Sequence, residues 1–415
     1  MNKRLIINIS ELVTFEGAKA LSGEAMSRPK KLHDAWILIE GEKILSIGTG
    51  EPPKAEAAHI LDASGKLALP GVVDSHTHFV FAGHRQAEYN LRLQGTSYAE
   101  IMAAGGGIVS TVASTREASK DELIALGRSR LDHFLSLGVT TVEGKSGYGL
   151  DEETELRQLE VMHLLDQEHP VDVIPTYMGA HAVPKQASEE AFIDFQIETM
   201  LPLVMEQGIA RFVDIFTEKG VFELFHSHRY LTKARELGFP LKVHADEMVP
   251  LGGAQLAAEM GAVSAEHLLH ISEEGIEALE KSGTIAVLLP LTAFSLKEEY
   301  APAREMIERG VPVALATDFN PGSCPSMSVP LLIALATHNM GMNMEETICA
   351  LTINGAAALC LADSRGTLEP GKLADIVLHD VESLDHLSYH FGVNTVDTVV
   401  RKGKMVYEKR RSFVR

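Results

Sequence analysis

The chain has 415 residues, 45% hydrophobic and 23% charged, with 34 glycines and 17 prolines. That is a globular composition with a sizeable core, not a disordered, collagenous or coiled-coil one. Asp and Glu outnumber Lys and Arg by 57 to 37, a formal charge of −20 without long runs of one sign, which repels nucleic-acid backbones and anionic lipid.

The stretch from Met1 to Phe15 begins basic, but Asn8, Ser10 and Glu11 interrupt it and no A-x-A-like site follows, so no signal peptide is expected. Residues 4–9, 35–48 (with the turn Glu40-Gly41-Glu42) and 59–69 alternate like short antiparallel strands. From Val72 to Asp318 one unit recurs: an amphipathic helical stretch, a Gly, then a short β-branched run, as in Leu137-Gly138-Val139-Thr140 and Ser282-Gly283-Thr284-Ile285. The Gly reads as a left-handed helix cap and the run after it as a buried parallel strand. Eight such runs, 72–76, 138–143, 172–177, 211–216, 240–244, 263–266, 284–289 and 312–317, predict an α/β fold, a (β/α)8 TIM barrel. A doubly wound open sheet is the alternative, but its Gly-rich phosphate turn is missing after the first strand, which ends in histidines. Gly105-Gly106-Gly107 follows a helical stretch and reads as a loop, not a dinucleotide site. Ile285 to Phe294, the longest apolar stretch, contains Pro290 and falls far short of the ~20 residues of a membrane span. Cys324, Cys349 and Cys360 fit neither a disulfide framework nor a zinc ribbon and read as reduced thiols. Helices are expected from His338 to Leu361, and strands again at Leu373 to Leu378 and Val396 to Tyr407. The expected organisation is a barrel over 70–361 and a small β-sandwich domain built from both chain termini, 1–69 and 362–415, in a soluble, cytoplasmic protein.

His76 and His78, in Asp74-Ser75-His76-Thr77-His78, close the first barrel strand. Side chains two apart in a strand share a face, so both imidazoles turn to the barrel mouth. His226-Ser227-His228 has the same spelling but lies in a helical pattern, where positions two apart diverge by roughly 200°, and it reads as solvated surface. Strand five ends in Val243-His244-Ala245-Asp246-Glu247, strand six in Ala265-Glu266-His267 and strand eight in Ala316-Thr317-Asp318. In a barrel these ends converge on the C-terminal face. His76, His78, His244 and Asp318 are thus a candidate shell for one divalent ion, Zn2+ or Fe2+, since imidazole suits both and a carboxylate completes the set.

The H-x-H strand, the later histidines and the final Asp resemble the amidohydrolase superfamily. More narrowly, Lys145-Ser146-Gly147-Tyr148-Gly149-Leu150, Met178-Gly179-Ala180-His181, His244-Ala245-Asp246-Glu247 and Thr317-Asp318-Phe319-Asn320-Pro321-Gly322-Ser323 are similar to the imidazolonepropionase family of histidine degradation. The resemblance spans nearly the whole chain; Gly144, His84 and Cys324 depart from its pattern without touching a proposed ligand. It implies hydrolysis of 4-imidazolone-5-propanoate to N-formimidoyl-L-glutamate, with the metal acidifying a water that attacks the ring carbonyl. His267 is placed to hydrogen-bond or deprotonate that water and to steady the oxyanion. Glu247 is assigned to the ring nitrogen and to proton transfer onto it, a transfer Asp318 could also make. The end of strand four, Ile215-Phe216-Thr217, has no lysine, so a carbamylated-lysine bridge and a binuclear centre are not favoured. Arg85 can offer a bidentate fork to the carboxylate tail. Tyr148 and His181 carry ring contacts by resemblance, the polar groups of Asn320, Gly322 and Ser323 are assigned to substrate or product, and Tyr98 is a further candidate. The partner expected is a small molecule with a carboxylate tail, not nucleic acid or membrane, with a homodimer kept as an option. Two alternatives stay open: another cyclic amidohydrolase or nucleobase-type deaminase, which ammonia release would reveal, and an inactive barrel serving as a binding module, which a metal-poor protein would suggest.

Overall fold

The computed structural model describes residues 3–54, 59–96, 100 and 106–409. Five strands come first: β1 (Lys3–Thr14), β2 (Lys30–Glu40), β3 (Lys43–Thr49), β4 (His59–Asp62) and β5 (Leu67–Pro70). Eight follow in the middle of the chain: β6 (Val72–Asp74), β7 (Val139–Lys145), β8 (Asp172–Ala180), β9 (Phe212–Thr217), β10 (Leu241–Ala245), β11 (Ser264–His267), β12 (Ile285–Leu288) and β13 (Val313–Leu315). The last are β14 (Ile376–His379), β15 (Val396–Arg401) and β16 (Lys404–Glu408).

The middle eight pair in sequence order, each parallel to the next, with helices between them. Each run expected from the sequence is a strand. The intervening helices start and stop where local chemistry dictates. Ser119 and Glu122 form a capping box at the head of helix Lys120–Ser136, and Gly261 and Gly283 end the helices before β11 and β12 with φ of 67° and 74°, a conformation that costs Gly no Cβ clash. Helix Glu273–Ser282 buries Ile276 and Leu279 and turns its glutamates outward.

β13 and β6 meet without a regular ladder, through polar links next to the H-x-H segment. The Asp74 carboxylate accepts hydrogen bonds from the backbone N–H (3.0 Å) and Oγ1 (2.7 Å) of Thr317. The N–H of Asp318 donates to the carbonyl of His76 (3.0 Å), and that of His78 to the carbonyl of Phe319 (2.9 Å). The barrel seam therefore fixes the first two histidines against the last aspartate.

Both termini build one separate sheet, in the order β16-β15-β14-β5-β1-β2-β3 with β4 also on β1. The two ends of the chain join where Ile376 of β14 pairs with Pro70 of β5. The sheet has its own apolar core, including Ile6, Ile9, Leu12, Ile37 and Ile376, while Val377, Val396 and Val399 belong to the barrel's core. Among the described residues no helix is long and apolar enough to cross a membrane.

Candidate active site

His76, His78, His244, His267 and Asp318 are all buried at or just beyond the C-terminal ends of β6, β10, β11 and β13. Thr77, between the first two, points away and donates to the carbonyl of Glu143 (2.6 Å), which leaves both imidazoles on the barrel axis as strand alternation requires. Nε2 of His76 lies 3.3 Å and Nε2 of His78 3.7 Å from Asp318 Oδ1. Ring centroids are 4.5 Å apart for His76 and His244 and 5.0 Å for His244 and His267. Ligand atoms of His76, His78 and His244 fall within 4.8 Å of one another, as do those of His76, His267 and Asp318. Both ring nitrogens of His76 and of His244 are buried without a well-aligned hydrogen-bond partner, although buried polar atoms are otherwise satisfied in most proteins; Nδ1 of each lies close to a carboxylate, whereas Nε2 of each turns to the cluster. Unpartnered imidazole nitrogens converging beside a carboxylate suit a divalent metal ion. His267 and Asp318 have φ of 75° and 52°; for His267 this left-handed backbone is strain of the kind that concentrates at functional sites.

Proton affinities around this point diverge. Burial and the neighbouring imidazoles hold His78 well below the usual histidine range; burial also holds His267 well below it, and His181 at about 4, so these rings are neutral and keep a lone pair. His76 goes the other way: burial lowers it, but Glu266 and Asp318 draw it up to about 9, and a potential that favours a proton there also favours a cation. Burial raises Asp318, yet its contact with His76 and the hydrogen bond it accepts from Thr292 Oγ1 (2.6 Å) hold it at about 2. Glu247 is pushed up to about 8 by burial and by the carboxylates of Asp318 and Glu218. Its Oε1 lies 3.5 Å from His267 Nδ1.

Around the cluster, the His181 ring stacks on His78 at 4.9 Å and lies 5.3 Å from Tyr148. The loop carrying Tyr148 is folded by Glu155, a residue the sequence reading passed over: its buried carboxylate accepts the N–H groups of Gly147 (2.9 Å), Gly149 (2.7 Å) and Leu150 (2.9 Å). Arg85 is braced by Glu88, Nε to Oε2 2.7 Å, and lies over Gly322, where any Cβ would collide with its guanidinium. Asn320 builds the turn it sits in: Oδ1 accepts from Gly322 and Ser323 N–H, both at 2.8 Å, and Nδ2 donates to Ser323 Oγ and the Asp318 carbonyl, both at 2.8 Å. A cavity of about 610 Å3 opens along this rim, lined by Phe81, Arg85, Tyr89, Arg130 and Asn320 among others. Asp246, beside Glu247, accepts from the N–H groups of Gly252 (2.9 Å), Gly253 (3.0 Å) and Ala254 (3.0 Å). It therefore shapes the loop rather than joining the cluster.

His226 and His228 lie on helix Leu224–Glu236, away from the cluster, with His228 exposed. Tyr98 and Gly105 lie outside the described residues. Gly144 is explained by packing, since a Cβ there would meet Phe79 at 2.7 Å and Met162 at 3.0 Å. Unanticipated is a fully buried layer of charge beneath the histidines, formed by Glu143, Lys145, Asp214, Lys242 and Glu266. Its signal was charge within buried barrel strands: one each in Leu241-Lys242-Val243 and Val213-Asp214-Ile215, one beside His267 in Glu266, and two, Glu143 and Lys145, in β7.

The amidohydrolase family model matches residues 67–406. The chain is similar to proteins named imidazolonepropionase from Clostridium tetani (50% identical, 98% of each chain covered) and Porphyromonas gingivalis (50% identical, 97% of each covered). It is also similar in fold to a triazine hydrolase variant, with a TM-score of 0.75 at 18% identity, covering 98% of this chain and 95% of the other. A zinc-complexed atrazine chlorohydrolase of Arthrobacter aurescens gives a TM-score of 0.73 at 18% identity, with the same coverages.

Proposed function

We infer the reaction from one premise: the chain belongs to the amidohydrolase family, and within it to the imidazolonepropionases. The enzyme hydrolyses the cyclic amide of 4-imidazolone-5-propanoate to N-formimidoyl-L-glutamate, a step of histidine degradation. The observation that carries this is half-identity to enzymes of that name over nearly the full length of both chains, joined to a buried cluster able to hold a divalent metal. His76, His78, His244 and Asp318 are the proposed ligands; their donor set suits Zn2+ or Fe2+, and the zinc complex of the atrazine chlorohydrolase supports zinc. When bound, such an ion supplies Lewis acidity and brings a water's pKa towards neutrality.

The chain's own groups are already sorted by proton affinity. His267, neutral, accepts a hydrogen bond or proton from the attacking water and steadies the charge on the former carbonyl oxygen. Glu247, whose carboxyl holds its proton near neutrality, faces the ring nitrogen and donates to it as the C–N bond breaks. Asp318 stays ionised and can take up a proton between these steps. Arg85, held by Glu88, binds the propionate tail; Tyr148 and His181 flank the ring; the Asn320, Gly322 and Ser323 turn closes the pocket around Arg85. The test is an assay with freshly generated imidazolonepropionate, with and without chelator and with product identification. Formimidoylglutamate formation that stops on metal removal is expected; release of free ammonia, or turnover by metal-free protein, would overturn the reading.

A further inference from the structure

Inside the barrel, directly beneath the histidines, two lysines and three carboxylates lie fully buried. Lys242 Nζ reaches Glu143 and Glu266, each at 2.8 Å, and the carbonyl of Ser75 at 3.2 Å. Lys145 Nζ reaches all three acids: Asp214 Oδ2 at 2.7 Å, Glu266 Oε2 at 2.8 Å and Glu143 Oε2 at 3.1 Å. Glu143 Oε2 is the one shared with Lys242, and the other two oxygens also face histidines. Asp214 Oδ2 is also 3.0 Å from His244 Nδ1, and Glu266 Oε2 is 2.5 Å from His76 Nδ1. A buried ionic layer is weak support for stability, because desolvation of five charges offsets their attraction; fixing geometry is the better reason for one to sit here.

We propose that Lys145 is a positioning residue of the metal centre: its one ammonium ties together the two carboxylate oxygens that face Nδ1 of His76 and His244, and so sets the direction in which both imidazoles present Nε2. The proposal rests on the reading of His76 and His244 as ligands. A carboxylate on the far nitrogen of a ligating histidine fixes its tautomer and ring angle, and here one cation fixes both carboxylates. Lys242 shares the burial and the charge and lies beside Asp214 in the sheet, but its ammonium pairs with Glu143 and Glu266 and not with Asp214 among the described residues, which makes it the internal comparison.

Removing either lysine alone would leave unbalanced buried acid, so the test uses charge-balanced pairs. Lys145→Gln with Glu143→Gln, and Lys242→Gln with Glu143→Gln, each remove one cation and one anion and leave the layer's net charge as it was. Folding is checked by circular dichroism, metal affinity by chelator competition, and ligand geometry by the visible spectrum of the Co2+-loaded protein. The Lys145 pair should bind Co2+ and Zn2+ about 10- to 100-fold more weakly, the usual scale for groups that orient ligands, with an altered Co2+ spectrum, while the Lys242 pair stays within about threefold of wild type. Equal weakening in both pairs would make the layer mere charge balance, and wild-type affinity and spectrum in the Lys145 pair would remove it from the centre; either overturns the proposal. Should the wild-type protein bind no stoichiometric Co2+, or His244→Ala keep its metal, the ligand reading itself fails, a result that stands apart from the comparison of the two pairs.

Discussion

His244 and His267 sit with their rings 5.0 Å apart, yet the company each keeps supports a different proposed role. His244 Nδ1 faces the Asp214 carboxylate, the arrangement of a metal ligand, whereas His267 Nδ1 faces Glu247, the arrangement of a proton carrier. His244→Ala should therefore lose most of the metal and nearly all activity while keeping the fold, as read by metal analysis and circular dichroism. His267→Asn should keep metal near the wild-type level and lower kcat by about 10²-fold or more; loss of its metal would move His267 into the ligand shell, a position its distance from His76 and Asp318 permits. The task proposed for Arg85 is of a third kind. A charge-assisted contact to the propionate is worth roughly 1.5–3 kcal/mol, or about 10- to 150-fold in kcat/KM. Arg85→Ala should lose that much on the natural substrate and far less on an imidazolone analogue without the carboxylate.

The loop after β7 shows how an element turns sequence into site geometry. Gly147 has φ of 105°, and a Cβ there would meet His181 Nδ1 and the Met178 carbonyl, each at 2.8 Å. Gly147→Ala should cost about 2 kcal/mol or more and misplace Tyr148 and His181, so a urea titration should show the loss of stability and kcat/KM should fall with metal content unchanged. This element also marks what the sequence made legible. The eight strands, the H-x-H pair and Asp318 were readable because strand alternation and the convergence of strand ends translate spacing directly into direction. Glu155 and Asp246 were not, because a carboxylate that gathers loop N–H groups has no spacing signature of its own. Asn320, read as a substrate contact, also uses both side-chain atoms in its own turn, a use that no pattern of residue types announces. The buried charges lie between: visible as misfits in apolar strands, but silent about which lysine meets which acid.

At the scale of the molecule, the barrel floor is bound to the terminal sheet by a cluster around Asp172, the first residue of β8. Its Oδ2 meets Arg365 (2.6 Å) and Arg401, its Oδ1 meets Lys402 (3.2 Å), and Arg401 also reaches Asp375 (3.2 Å). Burial raises the proton affinity of Asp172, but the three cations outweigh it and hold the carboxyl below the usual carboxylate range. A carboxylate whose affinity is lowered by folding stabilises the native state above its unfolded pKa, about 3.9 for Asp, and that contribution disappears as pH falls through the lower native value. Asp172→Asn leaves three cations facing a neutral amide at a mostly buried site, so it should cost about 3 kcal/mol at pH 7. Because the wild-type protein alone carries the titrating group, the difference in urea midpoint should be constant from neutrality down to about pH 5 and shrink below about pH 4. A difference that stayed constant to pH 3 would mean that the loss does not come from the carboxylate's charge, and a difference near zero at pH 7 would mean that the two parts are held by the apolar contacts of Val377 and Val396 with the barrel, with Asp172 only decorating their junction.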